Sequence, residues 1–188
     1  MKTSMALAAA FFAVATGFAL AQQSPAPSSG QAFGQAHATI AGTGITGTAE
    51  FRELADGTGR KVEVTVTVKG LTPGLHGMHL HAVGKCEGPT FTSAGGHFDP
   101  GPFGNTDPDM NHPFHLGDLP NLEANASGEA RVTAVTTRVT LSQGPLSVFD
   151  PDGTALIIHA NPDQGVTGAS KSGISGGPRV ACGVLEKK

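Results

Sequence analysis

The chain has no tryptophan and no tyrosine, so ten phenylalanines supply all of its aromatic area. Charged residues make up 14 % of 188 positions, below the roughly 25 % of an ordinary globular chain. Twelve basic residues face fifteen acidic ones, the net charge is −3, and no basic run exists. A nucleic-acid binder normally presents a basic patch, so the composition argues against that class. The composition also argues against a coiled coil, a collagen and a highly charged disordered tail. Beyond position 21 no stretch is long and apolar enough to span a membrane as a helix. What is present is glycine (27), proline (13), enough hydrophobic residues for a core (38 %) and an unusual eight histidines. The length allows one domain.

Residues 1–21 read as a secretory signal peptide. Lys2 makes a positive start, Met5–Phe18 is apolar, and Ala19-Leu20-Ala21 is a small-x-small cleavage site before Gln22. The expected destination is periplasmic or secreted, with no membrane anchor once the segment is removed. Residues 22–34 form a Pro/Ser/Gly/Gln linker, and 35–188 the domain. An oxidising compartment and an even cysteine count favour one disulfide between Cys86 and Cys182; the alternative is two buried thiols.

Val62, Val64, Val66 and Val68 alternate with polar residues across Lys61–Lys69. That period of two predicts a strand with one buried face. Thr46–Leu54 alternates more weakly, and the Asp-Gly-Thr-Gly run after Ala55 is a hairpin signal. Ala36–Ile40, Arg131–Leu141, Ala155–His159 and Arg179–Leu185 are further strands. No window sustains a helical period with caps. The expected fold is all-β, a sandwich or barrel. Gly84–Leu122 and Ala160–Pro178 fit no strand and read as two long functional loops.

The histidines gather in and beside these loops. His79 and His81 form an H-x-H pair; in an extended chain both point to one face. His159 ends an apolar run. His97 follows two glycines, and His115 precedes Asp118 by three. Imidazole suits copper and zinc, and imidazole with carboxylate suits zinc.

In their order these pieces resemble the copper–zinc superoxide dismutase family, in its bacterial exported branch. The carrying residues are Gly74-Leu75-His76-Gly77-Met78-His79-Leu80-His81, Gly84, Cys86 and Gly95-Gly96-His97-Phe98-Asp99-Pro100. His115-Leu116-Gly117-Asp118-Leu119-Pro120-Asn121, Leu156-Ile157-Ile158-His159-Ala160 and Gly177-Pro178-Arg179-Val180-Ala181-Cys182-Gly183-Val184 complete the set. The resemblance runs from about Ala36 to Leu185. It implies a Greek-key β-sandwich or barrel, superoxide as substrate, charge steering of that anion, and a monomer or homodimer. It implies copper on His79, His81, His97 and His159, with zinc on His97, His115 and Asp118. His97 would bridge the metals and carry a proton in catalysis. Arg179 would stand beside copper as a second catalytic residue, Asp163 would link copper and zinc ligands by hydrogen bonds, and Cys86–Cys182 would be the family disulfide. His76 would pack rather than ligate, and His37 would be an ordinary strand residue.

One departure concerns zinc. The family usually carries another zinc histidine eight or nine residues after the bridging one, where this chain has Asn105 and Thr106. A shifted alignment puts Asp107 there. His112 can substitute if the loop turns at Pro113; otherwise the zinc site is weakened or lost. Lys171 is a candidate steering charge. The expected activity is copper-dependent dismutation of superoxide, and the alternative is a non-enzymatic copper-binding or delivery protein on the same fold.

Overall fold

The computed structural model describes residues 32–101 and 104–188. The expected signal peptide and linker residues 22–31 lie outside these. Nine strands follow one another: β1 (Gly34–Gly42), β2 (Ile45–Asp56), β3 (Gly59–Lys69), β4 (Gly74–His81), β5 (Asp118–Ala124), β6 (Glu129–Thr136), β7 (Ala155–His159), β8 (Arg179–Val184) and β9 (Glu186–Lys187). The single helical element among the described residues is a 3-10 turn at Thr92–Ala94.

Alternation decides which side of each strand faces in. Val62, Val64, Val66 and Val68 of β3 are buried, and so are Ala49 and Phe51 of β2 and Ala36, Ala38 and Ile40 of β1. Hydrogen-bonded neighbours run β5-β4-β7-β8-β1-β2-β3-β6, all antiparallel. The two end strands, β5 and β6, are consecutive in sequence and joined by a turn in which Gly128 donates to the Asn125 carbonyl. They lie against each other, so the sheet curls into a barrel around one core, which limits free edges. Pairing of β3 with β6 and of β4 with β7 gives crossovers between non-consecutive strands, as a Greek key requires.

Three expectations change. The first long loop ends at Gly117, not Leu122, because Leu119, Leu122 and Ala124 turn inward as β5 against β4. The strand expected over Arg131–Leu141 stops at Thr136. Beyond it the backbone amides of Leu141 and Ser142 turn to the carboxylate of Glu53, at 3.2 and 2.7 Å. Glu53 holds a core-facing position on β2, is fully buried, and also accepts from Arg60 at 3.2 Å. The third change is at the start, where the strand expected over Ala36–Ile40 runs two residues further at each end, as Gly34–Gly42.

Candidate metal centre

Met78 and Leu80 of β4 point into the barrel. The intervening His79 and His81 therefore point outward, yet neither is exposed, because the two long loops cover them. On β7, Leu156 and Ile158 face the same core, and His159 follows on the outer side. Register then brings distant residues together. β4 against β5 sets His79 opposite Asp118; β7 against β8 sets His159 opposite Arg179; an isolated bridge pairs His81 with His97.

One ligand atom from each of His79, His81, His97 and His159 lies within 4.8 Å of the others. Each of these rings spends one nitrogen on the protein. The His81 Nδ1–H donates to the Gly95 carbonyl at 3.0 Å and that of His159 to the Gly177 carbonyl at 2.9 Å. His79 Nε2 meets Asp163 Oδ2 at 2.8 Å, and His97 Nδ1 meets Asp118 Oδ1 at 2.7 Å. The remaining nitrogens, His79 Nδ1 and the Nε2 atoms of His81, His97 and His159, are buried without a partner. Buried polar atoms left unpaired cost about 1–3 kcal/mol each. Four of them in one cluster, with the opposite nitrogens engaged, are the arrangement of imidazoles oriented to receive a cation. Burial, followed by neighbouring charges, lowers the pKa of both His81 and His159, and burial holds His97 at about 4 against the pull of Asp118. Neutral imidazoles are the form that binds metal.

A second group adjoins the first through His97. His79, His97, His112 and Asp118 also offer ligand atoms within 4.8 Å of one another. His112 is fully buried, with Nδ1 3.2 Å from Asp118 Oδ2 and Nε2 2.6 Å from Asp163 Oδ1. His115 Nδ1 is 3.0 Å from the same Asp118 oxygen, and its backbone amide donates there too. Burial works against protonation of His112, but the adjacent Asp118 carboxylate and the hydrogen bond to Asp163 raise its pKa to about 9. Both carboxylates are half-buried, which works against ionisation, yet they lie well below the ordinary range because the histidines hydrogen-bond to them. His115 belongs to neither group and meets the centre through Asp118; imidazole with carboxylate suits zinc, and four imidazoles suit copper.

Asp163 thus spans the two groups, touching His79 with one oxygen and His112 with the other. Asp107 belongs to neither group; its carboxylate accepts from the Ser170 hydroxyl and the amides of Asp109 and Met110. The Asn105 amide donates to the Asp99 carboxylate at 2.8 Å, and the Thr106 carbonyl receives the His97 amide at 2.9 Å. His76 turns its ring nitrogens to the carbonyls of His159 and Thr72, each at 2.8 Å. His37 sits on β1 beside Glu186 at 3.5 Å, apart from the centre.

Arg179 opens β8 and donates to the carbonyls of Phe91 at 2.7 Å and Gly95 at 2.5 Å. It lines a cavity of about 590 Å³ with His159 and Lys171. Burial lowers its pKa, and a guanidinium stays charged regardless. Cys86 and Cys182 are joined in a disulfide that ties the first loop to β8.

Sequence reasoning missed the residues that hold the loops. Asn121 of β5 clasps the backbone of Asp163, donating to its carbonyl and accepting from its amide, both at 2.9 Å. Arg138 donates to the carbonyls of Pro113 and His115 at 2.9 and 3.1 Å. No local pattern marks such long-range contacts.

Comparison with known proteins agrees with this centre. The family described as copper/zinc superoxide dismutase (SODC) matches residues 45–185. A protein of Aquifex aeolicus (strain VF5) named superoxide dismutase [Cu-Zn] 2 is 38 % identical over 158 residues, covering 80 % of this chain and 86 % of that one. A superoxide dismutase [Cu-Zn] of Caulobacter vibrioides is 39 % identical over 134 residues, 66 % of this chain and 71 % of that one. The superoxide dismutase-like protein YojM of Bacillus subtilis is 35 % identical over 139 residues, 72 % and 68 % of the two chains. Among solved structures, a point mutant of a SOD-like protein from Bacillus subtilis superposes with a TM-score of 0.66 at 35 % identity, covering 79 % of this chain and 95 % of that one. With three quarters of its length matched and its buried imidazoles arranged for two adjoining cations, the chain belongs to the copper/zinc superoxide dismutase family, whose cofactors are copper and zinc.

Proposed function

We propose that the protein is an exported superoxide dismutase that converts two superoxide anions and two protons to O₂ and H₂O₂. The observation that carries this reading is the set of four unpartnered imidazole nitrogens on His79, His81, His97 and His159. These residues would hold copper; His97, His112, His115 and Asp118 would hold zinc. Bound copper would supply one-electron exchange between Cu(II) and Cu(I), and bound zinc charge without redox chemistry. Export rests on the signal-like segment 1–21.

The protein's own residues have definable tasks. His97 is neutral at pH 7, with Nδ1 on Asp118 and Nε2 facing the other three histidines. A proton taken up at that Nε2 and passed on to the product is the use such a two-sided ring allows. Arg179 offers its charge beside the cavity. The net charge of −3 opposes capture of an anion, so a local positive field is needed. Lys171, on the same cavity, adds to it.

The test is superoxide consumption by protein loaded with both metals, followed by pulse radiolysis. Catalytic consumption is expected, and Arg179→Ile should lower the rate roughly tenfold and flatten its salt dependence. An unchanged rate at low ionic strength would remove Arg179 from the mechanism. A second reading, a non-enzymatic copper-binding or delivery protein, draws support from the relative named only superoxide dismutase-like. Tight copper binding without superoxide consumption would establish it.

A further inference from the structure

The two long loops, 82–117 and 160–178, meet beside the histidine centre through a set of contacts that the dismutase reading does not use. Asp109 is 4 % exposed, and its carboxylate accepts from the Gly173 amide at 2.8 Å, the Ser175 amide at 3.2 Å and the Ser175 hydroxyl at 2.8 Å. Its backbone carbonyl accepts from the Gly168 amide at 2.8 Å. Asp107 accepts from the Ser170 hydroxyl. Every donor comes from the second loop and every acceptor from the first. Between the held points lies a tight turn in which the Ser172 amide donates to the Ala169 carbonyl at 3.0 Å. At its tip is Lys171, with φ 64, a left-handed conformation that side-chain-bearing residues seldom adopt. Lys171 lines the cavity that Arg179 and His159 also line.

We infer that Asp109 is a positioning residue that clamps the second loop onto the first and so holds the Lys171 charge at the cavity mouth. Asp109 belongs to neither ligand group, so it holds the loops without itself being a ligand. A carboxylate beside an anion's entrance is a poor choice electrostatically. Here its oxygens face three donors, which absorb much of that charge. Without it, Lys171 would swing on a glycine-flanked loop and its field at the entrance would spread. The inference rests on the dismutase reading only for the identity of the anion.

The probe is azide, a small anion that reports on copper without turnover. Azide affinity of copper-loaded protein is measured by visible absorption at low and at physiological ionic strength. The parent is compared with Lys171→Ala, Asp109→Ala and the double variant, at matched copper content. At low salt Lys171→Ala and Asp109→Ala should each weaken azide roughly tenfold, as loss of a steering charge does. The double variant should be no weaker than either, and all differences should shrink with salt. An unchanged affinity in Asp109→Ala, or effects that multiply in the double variant, would overturn the proposal. Should Asp109→Ala fail to fold, Asp109→Asn keeps the volume, loses one acceptor, and is judged by the same criteria. Amide exchange at Gly173 and Ser175 in the metal-free protein reads the clamp directly; it should accelerate in the Asp109 variant, and unchanged exchange refutes the clamp. Coupling of Asp109 to Lys171 in a protein that consumes no superoxide would sink the dismutase reading and leave the clamp standing.

Discussion

His112 lies between two carboxylates, and its chemistry without metal follows from them. Its pKa of about 9 exceeds the ordinary 6.5, so the folded metal-free protein holds a proton there that the unfolded chain releases. That stabilisation is complete below about 6.5 and is lost as pH rises through about 9. His97 works in the opposite sense. Its folded pKa of about 4 lies below the ordinary value, so its contribution is present above 6.5 and is lost as pH falls toward 4. Thermal unfolding of the metal-free protein should therefore show greatest stability between these limits, with Tm declining on both sides. As a zinc ligand His112 would give up that proton, so zinc binding should release protons at pH 7 and tighten up to about pH 9. Calorimetry in buffers of different ionisation enthalpy measures this; zinc uptake without proton release would mean that His112 is not a ligand.

At the scale of elements, strand ends supply the rigid half of the centre and loops the adjustable half. His79, His81 and His159 are fixed by the barrel, whereas His97, His112 and His115 depend on how the first loop is held. Arg138, just beyond β6, is one of its anchors through the carbonyls of Pro113 and His115. Arg138→Ala should lower zinc affinity by about 10- to 100-fold, the range typical of lost supporting contacts around a metal, and leave copper affinity nearly unchanged. Competition with a chromophoric chelator reads both. Equal losses of the two metals would show a general loosening of the fold. Glu53 anchors another connection in the same manner, turning segment 137–142 across the barrel end. Glu53→Ala should cost about 1–3 kcal/mol for each of the two backbone amides, of Leu141 and Ser142, left without a partner, whereas exposed Arg60 keeps the Ser142 hydroxyl. Denaturant unfolding measures that cost.

Over the whole molecule, the barrel and the disulfide divide the work of stability. Cys86 and Cys182 are 96 residues apart in sequence, and closing a loop of that size is worth about 4–5 kcal/mol in chain-entropy terms. Reduction should lower the urea midpoint accordingly. It should also free the loop segment whose Phe91 and Gly95 carbonyls hold Arg179. The strand alternation in Lys61–Lys69, the H-x-H pair, His159, the His115–Asp118 spacing and the cysteine pair were all legible from the chain itself. Each is a local pattern, set by the two-residue period of a strand or by short spacing, and their order carried the family resemblance. The limits of β5 and β6 were not legible, because Leu119 becomes a strand residue only against β4 and Leu141 leaves the strand only for Glu53. The sequence by itself determined an all-β fold, two long loops and the residue types of the centre. Only the tertiary structure decided that His112, one of the outcomes the sequence left open, comes within reach of Asp118, and that Asn121, Arg138 and Asp109 hold the loops. The physical reason is distance along the chain: 51 residues separate the His112 and Asp163 partners and 66 separate Asp109 from Ser175. Contacts of that range exist only after strand pairing has brought the loops to one end of the barrel.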